Sequence, residues 1–148
     1  MIQPKETSGR ATPEEKARTA VCVVLLEAAM ADEEFTEEER VYVLDVLQHQ
    51  FSLNADEAQE LMMEAEDIRR ESLDLWQFTN AINQAFSTEE KEEIVEYVWR
   101  IIYSDGVLTG HEDHLAHKLR TLFNLNHQQL IRPKLRVLEE LRGQSGAD

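Results

Sequence analysis

Cysteine is almost absent. Cys22 is the only one in 148 residues, so no intramolecular disulfide framework can staple the fold. Its setting, AVCVVLL, marks it as a core residue rather than a nucleophile. Glycine is scarce as well: five are scattered along the chain, and none builds a phosphate-cradling loop. The apolar run Ala20–Leu26 stops at Glu27, far short of the roughly 20 residues a membrane span requires. The N-terminal MIQPKETSGRATP is polar and unlike a secretory signal, so a cytoplasmic protein is expected. No Ser-His-Asp or Cys-His arrangement emerges. His111-Glu112-Asp113-His114 is one residue short of HExxH, and the acid–Gly pattern of an EF-hand loop is missing.

Basic residues are also rare where acids crowd. Residues 27–67 hold fourteen Asp or Glu against the single Arg40, a net −13 out of −15 for the whole chain. Such a surface repels nucleic-acid phosphates and anionic lipid, which excludes both as partners. It selects divalent cations and basic protein surfaces, and it leaves a homodimer open. A solvated acidic face that keeps the protein soluble is the plain alternative.

Helix signals fill what remains, and no segment alternates like a strand. Thr12-Pro13-Glu14-Glu15 opens the first helix with a cap, a proline at the first position and a capping-box Glu. That helix should reach Ala31, apolar nearly all round from Ala20 and therefore central. Further starts fall at Thr36, Asn54, Ser72, Ser87, Thr109 and Asn126. Pro133 should kink the last helix or delay its start. The expected architecture is all-α with about seven helices. Residues 1–12 form a disordered tail, 13–142 one domain, and 143–148 a frayed end. Trp76 and Trp99 read as core or interface residues.

The chain repeats itself. Asp32, Thr36 and Glu39 recur as Asp105, Thr109 and Glu112 at an offset of 73, and FSLN at Phe51 recurs as FNLN at Phe123 at an offset of 72. This predicts duplicated helix-turn-helix units in a pseudo-twofold arrangement. Glu27 and Arg100 occupy equivalent places in two apolar runs, and burial would favour a salt bridge between them.

Thr36-x-x-Glu39 and Thr109-x-x-Glu112 are capping boxes, which account for Thr and Glu without any ligand. They do not account for Asp32 and Asp105. Each ends a helix, where the macrodipole disfavours negative charge by about 0.3–1 kcal/mol. Four carboxylates, Asp32, Glu39, Asp105 and Glu112, facing one another or forming two equivalent sites, would suit a hard cation: Ca²⁺, Mg²⁺ or Mn²⁺ before Zn²⁺. His111, His114 and His117 are spaced three apart, so neighbouring pairs share a helical face and could hold Zn²⁺, although surface histidines beside acids are the commoner case.

AAMADEEFTEEER and IIYSDGVLTGHED resemble the TerB family of tellurite-resistance-associated proteins. Its hallmark is Ala-Asp-Gly-x-hydrophobic-x-x-x-Glu after an apolar helix, and the likeness spans about residues 14–142. Related domains occur in membrane-anchored DnaJ-type co-chaperones. The resemblance implies an all-α fold and a divalent-cation role for Asp32, Glu39, Asp105 and Glu112. Glu33 stands where the hallmark has Gly, which puts the first copy in doubt; the second keeps Gly106. The expectation is a non-enzymatic cation-binding protein of a stress or tellurite-resistance-type response. An adaptor that docks a basic partner, without a metal site, is the alternative. Metal-dependent hydrolysis is the one enzyme class that the carboxylates leave open.

Overall fold

A computed structural model describes residues 12–30, 36–71, 74–103 and 110–146, with the side chains of 110–113 and 144–146 outside that description. Among the described residues there are seven helices and no strand. They are α1 (Pro13–Ala29), α2 (Glu37–Phe51), α3 (Ala55–Glu71), α4 (Trp76–Ala85), α5 (Thr88–Ile102), α6 (Gly110–Leu122) and α7 (His127–Gly146). None is long and apolar enough to cross a membrane.

Helix α1, apolar nearly all round from Ala20 except at Glu27, is the centre of the molecule. Ala17, Ala20 to Leu26, Ala28 and Ala29 are buried, and α2, α3, α4 and α5 all pack against it. Cys22 lies deep within this core, where loss of hydration pushes its thiol pKa far up and keeps it protonated. The second hub is α5, which meets α1, α2, α6 and α7. Trp99 is fully buried on it. Its ring stacks on Tyr103 at 5.8 Å, and its indole Nε1–H donates to the Leu130 carbonyl at 3.0 Å. That carbonyl lies three residues before Pro133, whose missing amide hydrogen would have served the Gln129 carbonyl rather than this one. The proline neither ends α7 nor delays it: the helix starts at His127 and runs through Pro133 to Gly146, beyond the end expected at residue 142. Trp76, by contrast, is 55% exposed.

Most expected starts hold. Thr12, Thr36 and Ser87 each close a full capping box, with Glu15, Glu39 and Glu90 reaching back. The fourth helix starts later than expected, at Trp76. Ser72 lies outside the described residues, and Asp74 Oδ1 accepts the Trp76 N–H at 3.0 Å. Thr109 and the tail 1–11 also lie outside.

The duplication is visible in the backbone. α1, α2 and α3 each pack on the other two, and so do α5, α6 and α7. α1 and α5 end alike: Met30 has φ −98° and ψ 7°, and Tyr103 has φ −92° and ψ 9°. At the second landmark Ser52 and Asn124 both take positive φ, 55° and 60°. The next residue in each copy turns its N–H back to the helix, Leu53 to the Gln48 carbonyl at 3.1 Å and Leu125 to the Arg120 carbonyl at 3.0 Å. Each Asn that follows caps a helix. Asn54 Oδ1 accepts the Glu57 N–H at 2.8 Å, and Asn126 Oδ1 accepts the Gln129 N–H at 2.9 Å.

Candidate functional site

A cleft of about 340 Å³ opens between α2, α5 and α7. Its polar lining is Glu38, Glu39, Tyr42, Arg100 and Glu140, with Tyr103 at the α5 end. Glu39 is placed there by its own capping box. Thr36 Oγ1 accepts the Glu39 N–H at 3.1 Å, and Glu39 Oε1 accepts the Thr36 N–H at 2.9 Å. The box bends the carboxylate back over the first turn of α2 and leaves the residue only 8% exposed.

Arg100 is the cation of this cleft. Its Nη1 lies 2.8 Å from Glu96 Oε2, and its Nη2 donates to Glu140. Burial works against the charged guanidinium, but the bonds to Glu140 and Glu96 outweigh it and raise its pKa. Tyr42 is affected most by burial, which pushes its pKa up to about 12 even though Arg100 beside it favours the phenolate. At neutral pH the cleft therefore presents a protonated phenol beside one committed guanidinium.

The expected pair between Glu27 and Arg100 does not form. Glu27 Oε1 accepts from Arg69 Nε on α3 at 2.8 Å, while Arg100 turns to Glu140 on α7. Each charge pairs within its own three-helix unit, where the third helix brings a half-exposed partner. That arrangement avoids the desolvation that a bridge through the core would require.

Of the four expected metal ligands, only Glu39 is described. Asp32, Asp105 and Glu112 lie outside the described residues or have undescribed side chains, as do Glu33, Gly106 and His111. His114 and His117 are exposed on α6. Among the described residues no group of three or more His, Cys, Asp or Glu is placed to hold a metal ion. The cleft lining sets carboxylate and hydroxyl oxygens beside the Arg100 guanidinium, with no imidazole or thiol among its described residues. The cleft also brings Glu39 of the first unit to Tyr103, which ends α5 two residues before Asp105 in the second.

The model of one family, "Tellurite resistance protein TerB", matches residues 18–135. The chain belongs to the TerB family. No curated protein and no solved structure gave a match. The all-helical fold expected from the resemblance is the fold observed for this TerB chain.

Sequence reasoning missed Tyr42 and Glu140 as cleft residues. Tyr42 sits among ordinary helix residues, and Glu140 is one of two adjacent acids in the last helix. Arg100 did stand out, as a charge inside an apolar run, but its partner could not be read without the packing of α7.

Proposed function

We propose that this TerB protein is a non-enzymatic binder of a hard divalent cation, Ca²⁺, Mg²⁺ or Mn²⁺, in a stress or tellurite-resistance-type response. Asp32, Glu39, Asp105 and Glu112 are the proposed ligands. One observation carries this reading: Glu39 of the first unit is buried in a cleft that it shares with the α5 end leading into Asp105. Carboxylates from both units would then serve one ion, and the cation would offset the charge that the α1 and α5 helix ends oppose. Bound metal would tie the two units together; no reaction is assigned to it.

Thermal melting of metal-stripped protein tests this. Millimolar Ca²⁺, Mg²⁺ or Mn²⁺ should raise the melting temperature, with linkage worth about 2.7 kcal/mol at a hundredfold excess over Kd. Glu39→Gln keeps a side chain that can close the capping box, so the metal-free protein should be little changed while the metal-dependent rise is lost. Asp32→Asn and Asp105→Asn together should abolish the rise. No shift of the wild type with any cation, Zn²⁺ included, or an equal shift in the double Asn variant, would remove the proposal.

A further inference from the structure

On other elements of the molecule, α1, α3 and α4 enclose an open groove of about 750 Å³ that shares no lining residue with the cleft. Its floor is apolar. Leu53, Ile68, Phe78 and Ala81 are half-buried there. The α3 wall is acidic, with Glu57, Glu60 and Glu64 all exposed. Spaced three and four apart, they share one face of the helix and extend over about 10 Å. The α1 wall is closer to neutral. Glu15 and Lys16 lie on it, and Arg18 is turned over the Phe51 ring, 5.7 Å from its centroid.

The second unit shows what these positions do when a base is supplied. By the offset of 72, Glu60 and Glu64 correspond to Arg132 and Arg136. Those two arginines pair with Glu92 and Glu96 on α5, at 3.3 Å and 2.9 Å. By the offset of 73, the α1 positions that would answer them are Thr19 and Val23, which carry no charge. Among the described residues no Lys or Arg pairs with Glu60 or Glu64. The counter-charge that the second unit provides internally is missing from the first.

We propose that this groove docks an amphipathic helix with a basic face, supplied by a partner protein. Its apolar side chains would cover Leu53, Ile68 and Phe78, and lysines or arginines three or four apart would meet Glu57, Glu60 and Glu64. Charge complementarity selects this occupant, because the net −13 of residues 27–67 repels nucleic acid, anionic lipid and acidic peptides alike.

The test uses the full chain in chelator, so that the cation site plays no part. The probe is a synthetic Leu/Lys amphipathic helix of roughly 18 residues, with a Leu/Glu peptide of the same pattern as its opposite. Binding is read by calorimetry and by backbone amide shifts. The Leu/Lys peptide should bind, with shifts on α1, α3 and α4. Glu60→Lys with Glu64→Lys should weaken it about tenfold. Glu93→Lys with Glu139→Lys changes the net charge equally on exposed sites of α5 and α7, and should weaken it by less than about twofold. Phe78→Ala should also weaken binding, with the fold checked by circular dichroism. No Leu/Lys binding, equal binding of the Leu/Glu peptide, or equal loss in both reversal variants would overturn the proposal. So would a self-associated dimer in sedimentation that Glu60→Lys with Glu64→Lys dissolves, since the occupant would then be a second copy.

Discussion

The two three-helix units keep the same backbone devices and differ in their charge. Both end their first helix in the same conformation, at Met30 and Tyr103. Both pass from the second helix to the third through a positive-φ residue and an Asn cap. Their ion pairs diverge. In the second unit, Glu92, Glu96 and Arg100 of α5 meet Arg132, Arg136 and Glu140 of α7, always forty residues apart. A constant spacing means that the two helices run parallel. Among the described residues the first unit links α1 to α3 by one ion pair, Glu27 with Arg69, one position along from the residue that matches Glu140. Backbone devices are set by local geometry, which every copy of the fold must satisfy. Surface charge is free to change, and here it has turned one unit inward on itself and left the other with an acidic face.

The largest effect that would sharpen this comparison lies in the core. By the offset of 73, Trp99 on α5 corresponds to Leu26 on α1, and both are fully buried. Leu26→Ala should cost about 2–5 kcal/mol and Trp99→Ala about 3–5 kcal/mol in urea denaturation. Trp99 adds a hydrogen bond that Leu26 lacks, so Trp99→Phe should still cost about 1 kcal/mol or more by leaving the Leu130 carbonyl without its indole donor. A Trp99→Phe protein as stable as wild type would mean that the indole bond contributes nothing.

A middle-sized effect sits at the shared positive-φ residues. Asn tolerates the left-handed region better than Ser does. Ser52→Gly should therefore stabilise by up to about 1 kcal/mol, and Asn124→Gly by less. A reversed order of the two melting shifts would show that the Asn124 side chain is not what makes φ 60° acceptable.

These landmarks also mark how far the sequence could be read. FSLN and FNLN announced a pair of identical corners because a capping Asn must follow the turn, and local chemistry of that kind survives in one dimension. Thr36 and Glu39 were legible for the same reason. The partners of Glu27 and Arg100 were not. Both charges interrupt apolar runs, but whether such a charge faces its counterpart or its own third helix depends on how parallel neighbours pack. The groove was hidden more completely. Leu53, Ile68 and Phe78 come from three separate segments, a connection and two helices, and each reads as an ordinary core position. Nor does the spacing of Glu57, Glu60 and Glu64 show that an apolar floor lies beside them.

The smallest effect tests the equivalence most directly. Arg132 is 55% exposed and Glu92 16%, so their coupling in a double-mutant cycle should lie between about 0.2 and 1 kcal/mol. It should shrink as salt is raised, because screening reaches these side chains. The matching positions in the first unit are Thr19 and Glu60, which line the groove together. Thr19→Glu combined with Glu60→Arg would transplant the rung. If the offsets of 72 and 73 describe real geometric equivalence, the transplanted pair should couple with the same sign, similar size and the same salt dependence. A pair that shows no coupling, or repels, would mean that α1 and α3 are not arranged as α5 and α7 are, and that the repeat ends at the caps. A pair that couples should also close the acidic mouth of the groove, because one of its unpaired carboxylates is replaced and a neutral position becomes half of an internal bridge. The Leu/Lys peptide should then bind more weakly to the grafted protein, joining the smallest energetic difference between the two units to the largest functional one proposed for them.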